Sequence, residues 1–483
     1  MSRMEDIKPT PVVETTFTRN ILFLTNSELG QCNVALAVAE EFLHRDEFRV
    51  HFASYSPLAP MVEDLNKRSG ASYPAQFHEI WGPCMTDLAV RSDVGLLFHR
   101  AGVKGAVQGF KKVKRAITSW TPTEYARAYN RCVEILDALR PAVVIIDPIL
   151  HVGLDACRTT KSRVVVLWPV PIKDVVVLIQ PKAGVLWKYP VTGSGYPFPV
   201  PCRRILQNTY LFLRIAVAVA FNNAPAEDTT DEKTIEGRSP FPLVSAYSKE
   251  SLHLTPSFQK MDFPFHVPDN VVSCGPILRQ CEPLAKSDPD LAAWLSKPTI
   301  LISLGSHVKP TEKVAVQMAK GIQTVLTERP YLQVLWKLRY DWQSSNLFVK
   351  IIGSLVNSGA VKIVPWIESD IIAVLETGQI ITYVHHGGAN SYFEACKVGV
   401  PQIVLPQWLD TYDCATRVEW LGIGVHGSRS AAPGIDAGEF AKALLRVLRD
   451  ESIHSRSLAM KGICKATEGR VVAHDRIVEF ALN

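Results

Sequence analysis

Cysteine pairs at CxxC spacing are absent from this chain, although ten cysteines are scattered between Cys32 and Cys464. The scatter argues against a zinc site and for a reducing compartment. No apolar run reaches the roughly 20 residues needed to cross a bilayer. The nearest, Tyr210 to Phe221 (YLFLRIAVAVAF), is interrupted by Arg214. It reads first as a core helix and second as a helix lying on a membrane, so membrane contact is expected to be peripheral at most. A strong charge excess is also missing. Lys and Arg number 52 and Asp and Glu 47, a net +5 over 483 residues, too little for a nucleic-acid binder. The N-terminal MSRMEDIKPTPVVETTFTRN lacks the apolar core of a signal peptide, and a cytoplasmic location is expected. No GxSxG elbow is present. The literal GxGxxG at Gly422, Gly424 and Gly427 follows a helical stretch and precedes a loop, the reverse of what a dinucleotide site requires. Hydrophobic residues at 47% and charged residues at 20% exclude disordered, collagen-like and coiled-coil classes.

What is present is an alternation of short β-rich runs with helical patterns, which predicts parallel sheets covered by helices. NILFLT (20–25), residues 142–146 and residues 163–167 read as strands of a first series. The loop NSELGQ leads into a helix predicted from Asn33 to His44, and a second helix around 132–139 ends before Pro141. A second series runs from TILISL (299–304) through LQVLWKL, VKIV, IITYV and QIVL to IGV (423–425). Val314, Met318, Ile322 and Leu326 recur every four residues, as in an amphipathic helix laid on a sheet. These patterns predict two facing Rossmann-like α/β domains with a cleft between them. The expected boundaries are 1–275, a linker at 276–298, a second domain at 299–455, and a C-terminal helix at 456–483 crossing back to the first domain. Residues 181–204 and 224–240 read as long surface excursions, and KKVKR at 111–115 as a solvated helix face.

The chemistry concentrates in HHGGANSYFE, residues 385–394, directly after IITYV. Gly387 and Gly388 let backbone approach a ligand, and the following helix offers free N–H groups and the positive end of its dipole. His386 can donate to a phosphate oxygen, and Glu394 can bind two ribose hydroxyls. The order suits a nucleoside diphosphate. His385 and His386 point to opposite faces if still in the strand, so no metal site is expected. Trp366 can stack on a base, Ser306 sits in a strand-to-helix loop suited to phosphate, and Asp410 lies at another strand end. All fall where open α/β sheets bind ligands.

With these residues in view, the chain resembles the UDP-glycosyltransferase superfamily, inverting enzymes of GT-B architecture, most strongly over 299–426 (HHGGANSYFEA, GVPQIVLPQWLD). Fungal members acting on small lipophilic molecules are nearest in character. The resemblance implies that Trp366 stacks on uracil, that Ser306, His386 and Gly388 with Asn390 and Ser391 hold the diphosphate, that Glu394 binds ribose, and that Asp410 and Thr411 meet the sugar. It implies transfer of a hexose, glucose first, from a UDP-sugar to a hydroxyl, phenolic first, of a small lipophilic natural product. The UDP-sugar is a co-substrate, and no cofactor or metal is implied. The departures are Thr411 and Ser369, each where the family often has Gln, and Gln31, where it usually has a catalytic His. The partner carboxylate matches as Asp147. With Gln31 unable to accept a proton, Asp147 could act directly, or His151 could serve as base with Asp147 orienting it, or an acidic phenol could need only Gln31. Glu28 is a further candidate. The alternative is a UDP-sugar-binding regulatory protein that lost its base. The acceptor is expected to be defined by the variable loops 50–110 and 170–240, whose Trp81, Phe98, Trp187, Tyr189, Tyr196 and Phe198 suggest a flat, lipophilic hydroxyl compound.

Overall fold

The computed structural model describes residues 19–91, 97–221 and 246–482; the excursion expected at 224–240 and most of the N-terminal stretch lie outside them. Two fully parallel sheets organise the chain. The first has seven strands: β1 (Asn20–Leu24), β2 (Arg49–Ser54), β3 (Gln76–Glu79), β4 (Val143–Ile146), β5 (Val164–Leu167), β6 (Leu252–Thr255) and β7 (Val271–Ser273), in the order β3-β2-β1-β4-β5-β6-β7. The second has six: β8 (Thr299–Ser303), β9 (Gln333–Lys337), β10 (Val361–Val364), β11 (Ile380–His385), β12 (Gln402–Val404) and β13 (Gly424–His426), in the order β10-β9-β8-β11-β12-β13. Near-continuous burial of β1, β4 and β8 on both faces is what a helix-covered parallel sheet demands.

Each sheet carries its own core. Ile21, Phe23, Ile145 and Leu254 pack under the first helix, and Ile300, Ile302, Trp336 and Phe348 under the helix Glu312–Glu328. The C-terminal helix Gly469–Leu482 inserts Ala473, Ile477 and Ala481 into the first core. The preceding helix, Glu451–Lys465, stays with the second domain through Met460 and Cys464, so the crossing starts near Gly469 rather than at 456. Half of the expected linker is likewise not free chain: Leu284, Leu291 and Leu295 pack into the second domain.

The first helix spans Leu29–Arg45, with Glu28 as its N-cap, four residues before the predicted start. An Asn cap preference is worth about 1 kcal/mol, and the buried positions from Cys32 onward outweigh it. Gln31 therefore lies in the first helical turn. The helix Pro122–Leu139 is also longer than predicted, closed by a capping box between Thr121 and Glu124. The stretch around 210–221 belongs to the helix Ile205–Phe221, which is not the core helix expected: Leu211 is buried while Leu206, Tyr210, Leu213 and Val217 are exposed.

Charged pairs join the two domains. Lys173, fully buried, donates to Asp413, and Arg417 Nε donates to Asp262 Oδ1 at 2.8 Å. His99 Nε2 accepts from Leu409 N at 2.8 Å, and its carbonyl accepts from Tyr412 at 2.6 Å.

Candidate active site

The carboxyl ends of β8, β10, β11 and β12 face those of β1 and β4. After β11 the chain turns through His386, Gly387 and Gly388 into the helix Ala389–Val398, capped at Gly388. Gly387 holds φ +98, and a Cβ there would lie 2.9 Å from the Thr411 carbonyl. A Cβ on Gly388 would lie 2.7 Å from the His386 ring, so the imidazole fills a space that only glycine leaves open. His386 Nδ1 is buried without a partner, and burial, then His385, His307 and Lys337, hold its pKa down to about 3. A neutral imidazole is thus aimed from the loop that opens the helix, whose first-turn N–H groups have no intrahelical acceptor. His385 points elsewhere: it is fully buried, bonds Gln402 Oε1 at 3.0 Å and accepts from Gly387 N at 3.1 Å. Among the described residues no cluster suited to a metal ion occurs.

Glu394, Asn390, Asn33, Arg279 and Asp370 line a narrow cavity between the domains. Burial, then Asp370, push the Glu394 carboxyl up to about 8. Arg279, on the segment joining the domains, pairs with Asp370 at 2.6 Å. Trp366, after β10, is 36% exposed, with Lys337 Nζ 4.2 Å from its ring centroid. The Ser306 carbonyl accepts from Arg339. Asn390 Nδ2 reaches across to the Leu29 carbonyl at 3.3 Å, and the Ser391 hydroxyl bonds Tyr383 at 3.0 Å. Asp410 opens the helix Leu409–Leu421; burial, then Asp174 and Asp413, push it up to about 7. Thr411 is fully buried, and its hydroxyl accepts from Gln407 N and Trp408 N and donates to the Trp408 carbonyl. That hydroxyl is consumed in closing its own turn and is not open to a sugar.

On the facing side, Asp147 accepts from Asn26 Nδ2 at 2.9 Å, Asn26 N at 3.2 Å and Ile149 N at 3.0 Å. Burial raises it to about 6 against those bonds. Asp147 thereby fastens the β1 loop to the β4 loop. The helix bearing His151 starts at His151 itself, because residues 148–150 form a turn closed by Leu150 N on the Asp147 carbonyl. Asp147 and His151 therefore share no helix face. Gln31 Oε1 and Asn33 Oδ1 are buried and unpartnered. So is Glu28 Oε2, while Glu28 Oε1 accepts from Thr86 N at 2.7 Å and Thr86 Oγ1 at 2.9 Å.

A second, narrow cavity is lined by Asn26, Tyr55, Met85, Leu88, Trp120, His151 and neighbouring aliphatics. None of the six loop aromatics named from the sequence lines it. Tyr189 and Phe198 stack in the core with Phe263 and Phe265, Tyr196 is buried, Trp187 and Trp81 lie on the surface, and Phe98 stacks on Trp408 across the domain boundary. Tyr55, Trp120, Asn33, Arg279 and Lys173 escaped the sequence reading. Only their convergence in space marks them.

Comparison with known proteins agrees with the two-domain fold. Residues 211–467 match the family model described as UDP-glucoronosyl and UDP-glucosyl transferase. Glycosyltransferase sdnJ of Sordaria araneosa is 35% identical over 94% of this chain and 96% of its own length. Among solved structures, a UDP-glucosyltransferase from Polygonum tinctorium capable of glucosylating indoxyl, in complex with 3,4-dichloroaniline, superposes with TM-score 0.65 at 15% identity, covering 97% of this chain and 100% of that one. A transferase from Siraitia grosvenorii in complex with UDP gives TM-score 0.61 at 13% identity, over 96% and 100%.

Proposed function

Because the chain belongs to the UDP-glucoronosyl and UDP-glucosyl transferase family and is a glycosyltransferase that draws on a UDP-sugar, we propose that it transfers glucose, with inversion and without a metal, to a hydroxyl of a small lipophilic natural product, a phenol first. The observation that carries this reading is the glycine-walled, unpartnered His386 beside a cavity lined by Glu394. In this reading uracil stacks on Trp366, Glu394 takes the ribose hydroxyls, and Asp410 meets the sugar, while Thr411 holds the loop under it. His386 and the first-turn N–H groups at Gly388, Asn390 and Ser391, with the Ser306 loop, stabilise charge growing on the departing diphosphate. The Ser391 hydroxyl, turned to Tyr383, supports the helix instead.

For the proton we favour Glu28. Its Oε2 is buried and unpartnered; its Oε1 is held by Thr86, between Met85 and Leu88 of the apolar cavity, and the adjoining Leu29 carbonyl accepts from Asn390 of the donor helix. The acceptor oxygen bonds to the anomeric carbon as the bond to the β-phosphate oxygen breaks. The electron pair leaves with UDP, and the hydroxyl proton passes to Glu28 Oε2. Asp147 is a positioning residue that holds the Asn26 loop, and His151, lining the same cavity, is the second route. Gln31, which cannot take a proton, favours the regulatory reading. Mass spectrometry of UDP-sugars incubated with a panel of phenols and alcohols, in the presence of a chelator, separates the two. Glycoside formation supports the enzyme; UDP binding with no product from any pair supports the regulator.

A further inference from the structure

The helix Ile205–Phe221 buries one side and leaves the other uncovered. Asn208 and Leu211 are fully buried, Leu211 with Ala106, Val107 and Val191. On the opposite side Leu206, Tyr210, Leu213 and Val217 follow one another at spacings of four, three and four, which places them on one helical stripe. Leu206 is 85% exposed, Leu213 54% and Val217 53%. This is the reverse of an ordinary surface helix, whose outer face is polar. The stripe continues sideways. Asn208 and Thr209 bond the carbonyl of Leu186, and this contact brings exposed Trp187 alongside. On the other flank Lys114 Nζ reaches the Ala218 carbonyl at 3.4 Å and joins the helix Val103–Thr118 to it.

Two of the segments that flank the helix carry charge of one sign. Residues 97–123 contain six Lys and Arg and residues 175–218 contain five, and neither segment has an Asp or Glu, in a protein whose net charge is only +5. Arg214 bends its guanidinium to the Tyr210 hydroxyl at 2.6 Å, stem along the apolar stripe and head at its margin. An exposed apolar stripe that includes Tyr210, with Trp187 alongside and basic segments flanking it, has the composition of an element that lies in a membrane interface. A second copy of the chain would bring its own basic border against this one, and like charges would oppose the contact.

We propose that this face docks the protein on an anionic lipid surface, with the helix Ile205–Phe221 in the plane of the interface. The apolar stripe enters the headgroup boundary while the Lys and Arg of the two flanking segments meet lipid phosphates. The inference is independent of the catalytic assignment, because none of these residues lines either cleft cavity.

Flotation of the full chain with vesicles tests it, using phosphatidylcholine alone or roughly seven parts phosphatidylcholine to three parts phosphatidylserine. The native chain should float with the anionic vesicles and be released by high salt. Leu206→Glu/Leu213→Glu, at exposed positions that leave the core intact, should lower partitioning at least about tenfold, and Lys111→Glu/Arg115→Glu should do the same. Turnover of a water-soluble acceptor should be unchanged in both, which shows the variants are folded. Failure of the native chain to float, or equal flotation of both variants, overturns the proposal. A concentration-dependent dimer in sedimentation that Leu206→Glu/Leu213→Glu abolishes, without flotation, overturns it in favour of a second copy. Flotation that appears only after deletion of residues 222–245 overturns it for the intact chain in favour of that segment as the cover.

Discussion

Replacing Glu28 by Gln removes one function of that side chain and keeps the others. The amide oxygen still accepts from Thr86 N and Thr86 Oγ1, now at 2.7 and 2.9 Å, so the loop and the cap of the first helix keep their anchor. The amide cannot take a proton. A general base contributes about 10²–10⁴-fold, so transfer to an aliphatic alcohol should fall by that factor, an increase in barrier of about 3–5 kcal/mol. An acceptor already ionised at neutral pH has no proton to give, and thiophenol serves as that control. Initial rates of Glu28→Gln with UDP-glucose should therefore collapse for 2-phenylethanol and change less than about threefold for thiophenol. A structural defect would lower both rates together and lower the melting temperature. Retained transfer to the alcohol would refute the role of Glu28 and move the base to His151, whose Ala variant should then carry the loss. Absence of transfer by the native chain to either acceptor and to a wider panel would refute the enzyme reading itself.

Three further outcomes follow from the same geometry. Asp413→Ala leaves the Lys173 ammonium buried and unpaired between the domains and should destabilise the protein by about 3–5 kcal/mol in denaturant titration. His386→Ala should slow turnover far more than it weakens UDP binding, because its hydrogen bond strengthens as charge moves onto the leaving diphosphate; a loss confined to KM would contradict that role. Glu394 holds its proton to about pH 8 when folded and to about 4.5 when unfolded. The folded state then binds more protons across that window, so the stabilising contribution is present below about 4.5 and is lost as pH rises through 8. Glu394→Gln, which cannot ionise, should flatten the fall in melting temperature between pH 5 and pH 8 (about that range); an unchanged pH profile would contradict it.

The segment proposed to bind the donor could be singled out in the sequence because its information is local. HHGGAN stands directly behind a β-branched strand, and the glycines, histidine and helix start fall within six residues of one another. The strands of the second series were placed within a residue or two for the same reason, since apolar runs such as TILIS and IITYV are bounded by turn residues. β2, β3, β6 and β7 escaped because RVHFAS, QFHE and LHLT mix polar with apolar residues, VVS has only three residues, and all lie at or near the flanks of the first sheet. The loops expected to define the acceptor supply Tyr55, Met85 and Leu88 to the second cavity, but which of their aromatics meet it was not legible, because an aromatic side chain in an irregular loop carries no mark of which surface it meets. Tyr189 and Phe198 found each other and Phe263, while Tyr55 and Trp120, far apart in sequence, came together at the cavity. Lys173 and Asp413 are 240 residues apart, and only the folded chain makes them a pair. Glu28 illustrates the intermediate case. Its place in the first loop was visible, but its unpartnered oxygen depends on Thr86, which the sequence leaves in an unassigned stretch.

The account stands most directly on the claim that UDP binds at the junction of β11 and the helix Ala389–Val398, with Glu394 on its ribose. Titration calorimetry of the native chain and of Glu394→Ala with UDP tests this. A neutral hydrogen bond contributes about 0.5–1.5 kcal/mol, so losing the two from a carboxyl that keeps its proton at neutral pH costs about 1–3 kcal/mol, a weakening of about five- to a hundred-and-fifty-fold. That loss, with the melting temperature of the ligand-free protein preserved, is the predicted result; equal UDP affinity in the two proteins would contradict the account.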